Sequence, residues 1–401
     1  MSKHNILLVT YALHPGGMEQ SLSRLVKYLK EEEYEVSIVL TEEKGDWFDL
    51  FNEQFCKTNL IPISKAGVAV HLWNLRKFIL KSNCDILYLV CDKFAQSILP
   101  FLPKHIKVIS AIRLDDPYFY YLSATNRDCI SAYAVNSLKL HDTLEPLVNN
   151  IPIEIIQNGF EVPQKEKIDN RLKFEIPLKL LFVGRLTDQK QVLILPDIIK
   201  KCKDLNLNVI LNIVGDGELM PDLISKIKLY GLEHNIKIIG TVSKNEAENW
   251  YLKSHVVLFP SIGEGLPNVL IETQGCGCVP ISNLLPKITN TVIKNNVTGI
   301  IVENNNIDEY VNAIALLYNN DNVWKSFSEN GMQWIKENFS IDQEKKKYIS
   351  LFENTLNTKV IKQNTYNILH IFRLIHIRDW TPIGIKTLKN KIENILMFKN
   401  K

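Results

Sequence analysis

The sequence predicts an α/β fold made of two doubly wound domains, each a parallel sheet wrapped by helices. Three observations carry that expectation. The chain has 401 residues, too many for one ordinary core. Short apolar runs that suit buried parallel strands alternate with amphipathic, helix-like stretches along both halves. Several runs, Asn5–Thr10, Leu178–Val183 and Val256–Phe259 among them, pass into a glycine-bearing loop before the next helical stretch. Strand, glycine loop and helix in that order open a doubly wound unit.

Composition narrows the class. Apolar residues make up 46% of the chain and charged residues 23%, the balance of a soluble globular protein. No run approaches the roughly 18 apolar residues that cross a bilayer. The opening MSKHNILLVTYAL has a short apolar run and no small-residue cleavage site, so it reads as a first buried strand rather than a signal peptide. Seven scattered cysteines argue against a disulfide framework and for a reducing, cytoplasmic compartment. Cys276 and Cys278 stand too close for an ordinary disulfide or a complete metal site and read as small helix-packing residues.

Charge is unevenly placed. The whole chain carries +3, but residues 357–401 hold seven Lys and two Arg against one Asp and one Glu, a net +7, which leaves about −4 for the rest. With Trp380 and many Ile and Leu beside Arg373, Arg378 and Lys386, this tail is a basic amphipathic segment. Such a segment can lie on an anionic membrane surface, peripheral to the inner face of the plasma membrane. The other reading is a packed terminal helix with a solvated basic face.

In the first half, Asn5–Thr10 leads through the loop 11–17 into an amphipathic stretch, 19–30. The loop carries Gly16 and Gly17, with Glu19 close behind, but no GxGxxG. Paired glycines let a ligand approach the backbone at a helix start, or simply make a tight turn. Strand-like runs follow at 36–41, Ile86–Val90 and Lys107–Ile112. Ligands of such sheets bind beyond the carboxyl ends of the strands, which makes Arg113, Asp115 and Asp116 site candidates. Arg113 can meet a phosphate or pair with Asp115. The two aspartates could hold Mg²⁺ with substrate phosphates; Pro117 and the aromatic run 118–121 read instead as a loop packed on its own domain, and no metal is expected. Runs at 132–136 and 153–157 precede the turn signal Asn158-Gly159. The polar stretch behind it has few apolar anchors, so the boundary is placed between 160 and 177.

In the second half, Leu178–Val183 leads into Gly184, Arg185 and, five residues on, Lys190. Arg185 offers a planar fork of donors and Lys190 a mobile point charge, together able to neutralise two phosphates. A cation at a helix start opposes the dipole, so a balancing anion is expected there. Val209–Val214 runs into Gly215-Asp216-Gly217, and 237–240 into Thr241 and Val242. Then comes HVVLFPSIGEGLPNVLIETQGCGCVP, 255–280. Its strand stops at Pro260, Gly263 and Gly265 flank Glu264 in a loop, and Pro267 suits a first helical turn that carries Glu272. Free amides at such a helix start attract anionic oxygens, and the carboxylates accept from sugar hydroxyls.

Glu264 and Glu272 at this spacing, with Gly265-Leu266-Pro267 after the first and Gly275 and Gly277 behind the second, resemble the signature of the family 4 retaining glycosyltransferases. The resemblance spans roughly residues 5–356. It implies a GT-B fold, with two Rossmann-like domains facing a cleft. Residues 1–165 would be the acceptor side, 177–340 the nucleotide-sugar side, and 341–356 a helix crossing back onto the first domain. Gly16, Gly17 and Glu19 would line the phosphate side of the cleft. Gly184, Arg185 and Lys190 would grip the diphosphate, with N–H groups around Gly265 to Asn268; Leu266 and Pro267 would line the donor between them. Val242 would stand beside the base, Glu272 on the ribose hydroxyls and Glu264 on those of the donor sugar. Two positions depart from the family pattern: Arg113 stands where many relatives have histidine, and Gln191 where glycine is usual.

The function this implies is retaining, metal-independent transfer of a hexose-type sugar. The donor would be a nucleotide sugar, UDP-linked by family preference. The acceptor would be a saccharide or lipid-linked saccharide in making capsule, O-antigen or another surface polysaccharide. The nucleotide sugar is a substrate, and no separate cofactor and no nucleic-acid partner are expected. The alternatives are a nucleotide-sugar epimerase of the same fold and a non-catalytic nucleotide-sugar-binding protein. A glycosidase would need two carboxylates facing one bond but no phosphate-neutralising Arg and Lys.

Overall fold

Two parallel sheets organise the chain. The computed structural model describes residues 4–14, 16–148, 150–304 and 306–358. It divides into two units, the first built from the chain up to Ile156 and again from Lys345, the second from Gln157–Glu344.

The first unit holds strands β1 (Asn5–Thr10), β2 (Glu35–Leu40), β3 (Lys57–Leu60), β4 (Ile86–Val90), β5 (Lys107–Ile112), β6 (Ala132–Val135) and β7 (Ile153–Ile155). Their order is β3-β2-β1-β4-β5-β6-β7, and every pairing is parallel. Strands covered on both faces read as continuous apolar runs, which is why all five residues of β4 are buried. Leu7, Val9, Leu87, Leu89, Tyr133 and Val135 share one core. The helix Gly17–Glu31 crosses from β1 to β2 and buries Leu22, Leu25, Val26 and Leu29, the i, i+3, i+4, i+7 stripe of a helix lying on a sheet. Sheet order reverses between β1 and β4, and ligands of open α/β sheets collect beyond the carboxyl ends at such a reversal.

The last described helix, Ile341–Asn357, supplies the first unit with buried Tyr348 and Phe352. The Phe352 ring stacks on Tyr88 with centroids 5.6 Å apart. Lys345 pairs with Glu31 at 2.8 Å and Glu32 at 3.1 Å.

Asp92, just past β4, caps the short helix Lys93–Ile98 by accepting from the amide of Ala95 at 2.7 Å, and also accepts from the Thr41 hydroxyl. Burial pushes its carboxyl up to about 6 from 3.8. A raised folded pKa means that the neutral form stabilises the fold fully below about pH 4, and that this contribution is lost as pH rises through about 6. Asp92→Asn keeps the cap acceptor and removes the buried charge. It is expected to be more stable than wild type at pH 8, by up to about 3 kcal/mol, and to lose that advantage below pH 4. Urea melts at the two pH values check it, and an advantage independent of pH would be the wrong result.

The second unit holds β8 (Leu178–Val183), β9 (Val209–Val214), β10 (Ile236–Gly240), β11 (Val256–Phe259), β12 (Val279–Asn283) and β13 (Ile300–Val302). Its order is β10-β9-β8-β11-β12-β13, again parallel throughout. Leu180, Phe182, Leu211, Ile213, Leu258 and Ile281 anchor the core. Here the order reverses between β8 and β11.

The boundary falls at 156/157 rather than between 160 and 177. The polar stretch carries two aromatics that tie it to the second unit. A Cβ on Gly275 would meet the Phe160 ring at 2.3 Å, so that glycine makes room for the ring, and the Phe160 amide donates to Phe339 O at 2.7 Å. Phe174 packs on His255 and Trp324 at centroid distances of 5.8 and 5.6 Å. Among the described residues no helix is long and apolar enough to cross a membrane. The basic tail lies beyond Thr358, outside the described residues.

Candidate active site

At the reversal in the second unit, the loops leaving β8 and β11 are stitched together. Gly184 follows β8 with φ +156°, and Gly215 follows β9 with φ +137°. A Cβ on Gly215 would meet the carbonyl oxygen of Gly184 at 1.9 Å, and one on Gly217 the carbonyl oxygen of Leu186 at 2.5 Å. Only glycine permits this backbone-on-backbone contact. Leu186 is buried beneath it, and its amide donates to Asp216 O at 2.9 Å. Arg185, one residue earlier, is left exposed.

The chain then makes a 3₁₀ turn, Asp188–Lys190, and the α-helix starts only at Leu195. The expected helix start at Arg185 and Lys190 is therefore corrected: no α-helix dipole opposes these cations. The anion that balances Lys190 is in the chain itself. Its Nζ pairs with the carboxylate of Glu264, from the loop after β11, and the side chains are only 16% and 13% exposed. The ammonium also sits 5.3 Å from the centroid of the Phe259 ring. Gln191, where the family pattern has glycine, takes a left-handed φ of +50°, so the backbone there has the shape that glycine would favour.

Ser261, Gln189 and Gly263 complete the stitching. The Ser261 hydroxyl donates to Glu264 Oε1 at 2.8 Å, the amide of Ile262 donates to Gln189 O at 3.0 Å, and the Gln189 side chain donates to Gly263 O. Below them, Asn283 holds the carbonyl of Pro260 at 2.7 Å. The Glu264 carboxylate is thus held by two partners, Lys190 and Ser261. Sequence reasoning missed Ser261 and Gln189; the Pro-Ser preceding the first glutamate was their only local signal.

The helix after this loop runs Asn268–Gly275, one residue later than Pro267, which stands at its N-cap. Gly265, Leu266 and Pro267 are buried. The amide of Asn268 is used internally, donating to Leu266 O at 3.1 Å, and its side-chain oxygen accepts from Asn158 at 2.8 Å. The Asn268 amide, expected to face a ligand, is here used within its own loop. Among the described residues the amides of Gly265 and Leu266 have no acceptor. Glu272, one turn along, does not join the Lys190–Glu264 pair; its carboxylate accepts from the Tyr251 hydroxyl at 3.0 Å. Burial raises the Tyr251 pKa well above its ordinary value, so this hydroxyl keeps its proton and serves as donor. Val242, beyond β10, packs half-buried against a cluster that holds Tyr251, Val257, Cys276 and Cys278.

In the first unit, Gly16 precedes the helix that begins at Gly17, and a Cβ on Gly16 would meet the Glu19 carboxylate at 2.8 Å. Glu19 is buried in the first turn, and burial raises its pKa. Arg113 does not pair with Asp115. It donates to the hydroxyls of Tyr88, at 3.2 Å, and Tyr348, while Asp115 accepts from Tyr120 at 2.8 Å and Asp116 caps the helix Pro117–Thr125. Among the described residues no group of three or more His, Cys, Asp or Glu side chains could hold a metal ion.

Two all-parallel sheets of this order, with glycine loops at their carboxyl ends, have the fold of the GT-B glycosyltransferases. A glycosyltransferase from Rickettsia africae superimposes with a TM-score of 0.74 at 18% identity, over 90% of this chain and 100% of that one. HepE of Anabaena, crystallised with UDP and glucose, gives 0.72 at 16% identity over 88% and 100%. Residues 163–334 match the family described as glycosyl transferases group 1. Among relatives, the GalNAc-alpha-(1->4)-GalNAc-alpha-(1->3)-diNAcBac-PP-undecaprenol alpha-1,4-N-acetyl-D-galactosaminyltransferase of Campylobacter jejuni is 31% identical over 372 residues, 89% of this chain and all of that protein. An uncharacterized glycosyltransferase of Methanocaldococcus jannaschii is 27% identical over 387 residues, 86% of this chain and 97% of its own. The chain belongs to the group 1 glycosyltransferases, of the family 4 type.

Proposed function

We propose that this glycosyltransferase retains anomeric configuration, works without a metal and moves a hexose-type sugar from a UDP-linked donor to a saccharide carried on a lipid diphosphate, in making a cell-surface polysaccharide. The observation that carries the reading is the meeting of Lys190 and Glu264 at the reversal between β8 and β11. In the reaction the bond from C1 to the diphosphate oxygen breaks, and the acceptor oxygen bonds C1 from the same face. The departing phosphate oxygen takes the acceptor's proton. Negative charge builds on the diphosphate, where preorganised cations and amides lower the barrier most. Arg185, Lys190 and the amides of Gly265 and Leu266 supply them in place of a metal. Once the diphosphate takes Lys190, Glu264 is released to accept from donor-sugar hydroxyls, while Ser261 keeps it oriented. Glu272, held by Tyr251, accepts from the ribose.

Two relatives support this reading of the acceptor and the nucleotide. The Campylobacter jejuni protein is named for an undecaprenol diphosphate acceptor. An Escherichia coli protein, 30% identical over 229 residues, is named UDP-Gal:alpha-D-GlcNAc-diphosphoundecaprenol alpha-1,3-galactosyltransferase. The test is the product. An α-linked UDP donor should give an α-linked product, by NMR, at an undiminished rate in EDTA; a β-linked product or loss of rate with EDTA overturns the reading. Arg185→Ala removes an exposed side chain and should leave the melting temperature unchanged. Hydrogen bonds to charged groups contribute about 1.5–3 kcal/mol, so UDP affinity by calorimetry is expected to fall about 10- to 100-fold. Wild-type affinity would remove Arg185 from the site.

A further inference from the structure

The first unit contains a guanidinium with no counter-ion. Arg113 stands at the carboxyl end of β5, and both donors of its Nη2 are used on the hydroxyls of Tyr88 and Tyr348. The Tyr348 ring lies 5.8 Å from the guanidinium carbon. Neutral hydroxyls accept hydrogen bonds but do not cancel charge. The nearest carboxylates in sequence, Asp115 and Asp116, are engaged by Tyr120 and by the amide of Tyr118, and no salt bridge joins Arg113 to any acid among the described residues. Its Nη1 is buried and has no hydrogen-bond partner. A buried charge without partner costs several kcal/mol, and buried donors are nearly always satisfied.

Two further orphaned atoms lie at the same edge of the sheet. Thr10 Oγ1, at the end of β1, and Asn136 Oδ1, just past β6, are buried without partners. The Asn136 amide nitrogen donates to Arg113 O at 3.2 Å, which ties the two residues together. The strand order β1-β4-β5-β6 sets these three atoms along one edge. The neighbouring helix start does not account for them: the buried Glu19 carboxylate already occupies its first turn.

We propose that Arg113 is the counter-ion for an oxyanion, carboxylate or phosphate, carried by a substrate of this enzyme and received by the two N–H groups of Nη1. An always-charged guanidinium selects an anionic substrate. The proposal deepens the glycosyltransferase reading by naming a charged substrate class, and rests on that reading only for the identity of the substrate.

The experiment is calorimetric, on the full chain, with matched charged and neutral probes. UDP-glucuronate against UDP-glucose places the oxyanion on the donor sugar. Geranyl diphosphate against geraniol, with UDP held saturating to fill the second unit's diphosphate site, places it on the acceptor. One charged probe is expected to bind at least about tenfold more tightly than its neutral counterpart. Arg113→Gln should erase that preference and Arg113→Lys retain part of it, with UDP affinity the same in all three proteins. Equal binding of both members of both pairs overturns the proposal, and so does a preference that survives Arg113→Gln. If the glutamine variant does not fold, the wild-type comparison and Arg113→Lys decide. Failure of wild type to bind UDP would instead sink the UDP-donor reading, while loss of the geranyl diphosphate preference in Arg113→Gln still tests Arg113.

Discussion

Lys190→Ala is expected to lower kcat by about 10²- to 10³-fold, the loss usual when one preorganised charge-stabilising group is removed from a transition state. Glu264→Gln should cost a similar factor for a different reason. The lysine acts on the leaving diphosphate, so its loss should also weaken UDP itself. The glutamate acts on the sugar, so Glu264→Gln should bind UDP as wild type does and lose only the extra affinity of the nucleotide sugar. Because the two side chains pair with one another, their effects cannot be independent. The double variant is expected to be little worse than the poorer single one. Steady-state kinetics beside UDP calorimetry read all of this. Near-wild-type turnover in either single variant would remove the pair from the reaction.

Gly215→Ala should destabilise the second unit by about 4 kcal/mol. The added Cβ would stand 1.9 Å from the carbonyl oxygen of Gly184, so one of the two loops must move. The φ of +137° also lies where an L side chain is strained. Overpacking and backbone strain each cost about 1–3 kcal/mol. Both loops lead to the site, so transfer should fall along with stability. A chemical denaturation midpoint unchanged from wild type would show that Gly184 and Gly215 do not touch as described.

Much of this was legible in residue order. Runs such as LKLLFV and HVVLF declare buried strands, because a parallel sheet covered on both faces has no polar alternation to show. The glycines around Glu264 and the proline before Asn268 declare a loop and a helix start. Two short strands escaped notice. β3 is KTNL, with one buried residue, and β13 has three residues, too few to establish a period. The boundary was misplaced because two aromatics, Phe160 and Phe174, anchor a stretch whose other residues are mostly polar; a single ring in the right pocket outweighs average composition. Nothing local joins Arg113 to Tyr348, 235 positions away, so the pairing with Asp115 was the only one a reader of the sequence could weigh. The Lys190–Glu264 pair escaped likewise: each residue was singled out as a site residue, but their attraction depends on β8 and β11 being neighbours.

The assignment of the chain from Lys345 to the first unit has a consequence for biosynthesis. All of Gln157–Glu344 is synthesised before Tyr348 and Phe352, so the first unit waits through the making of the whole second unit for the ring that stacks on Tyr88. Domains usually mature from the amino terminus onward as they emerge. In this protein the half that is begun first is the half that is finished last.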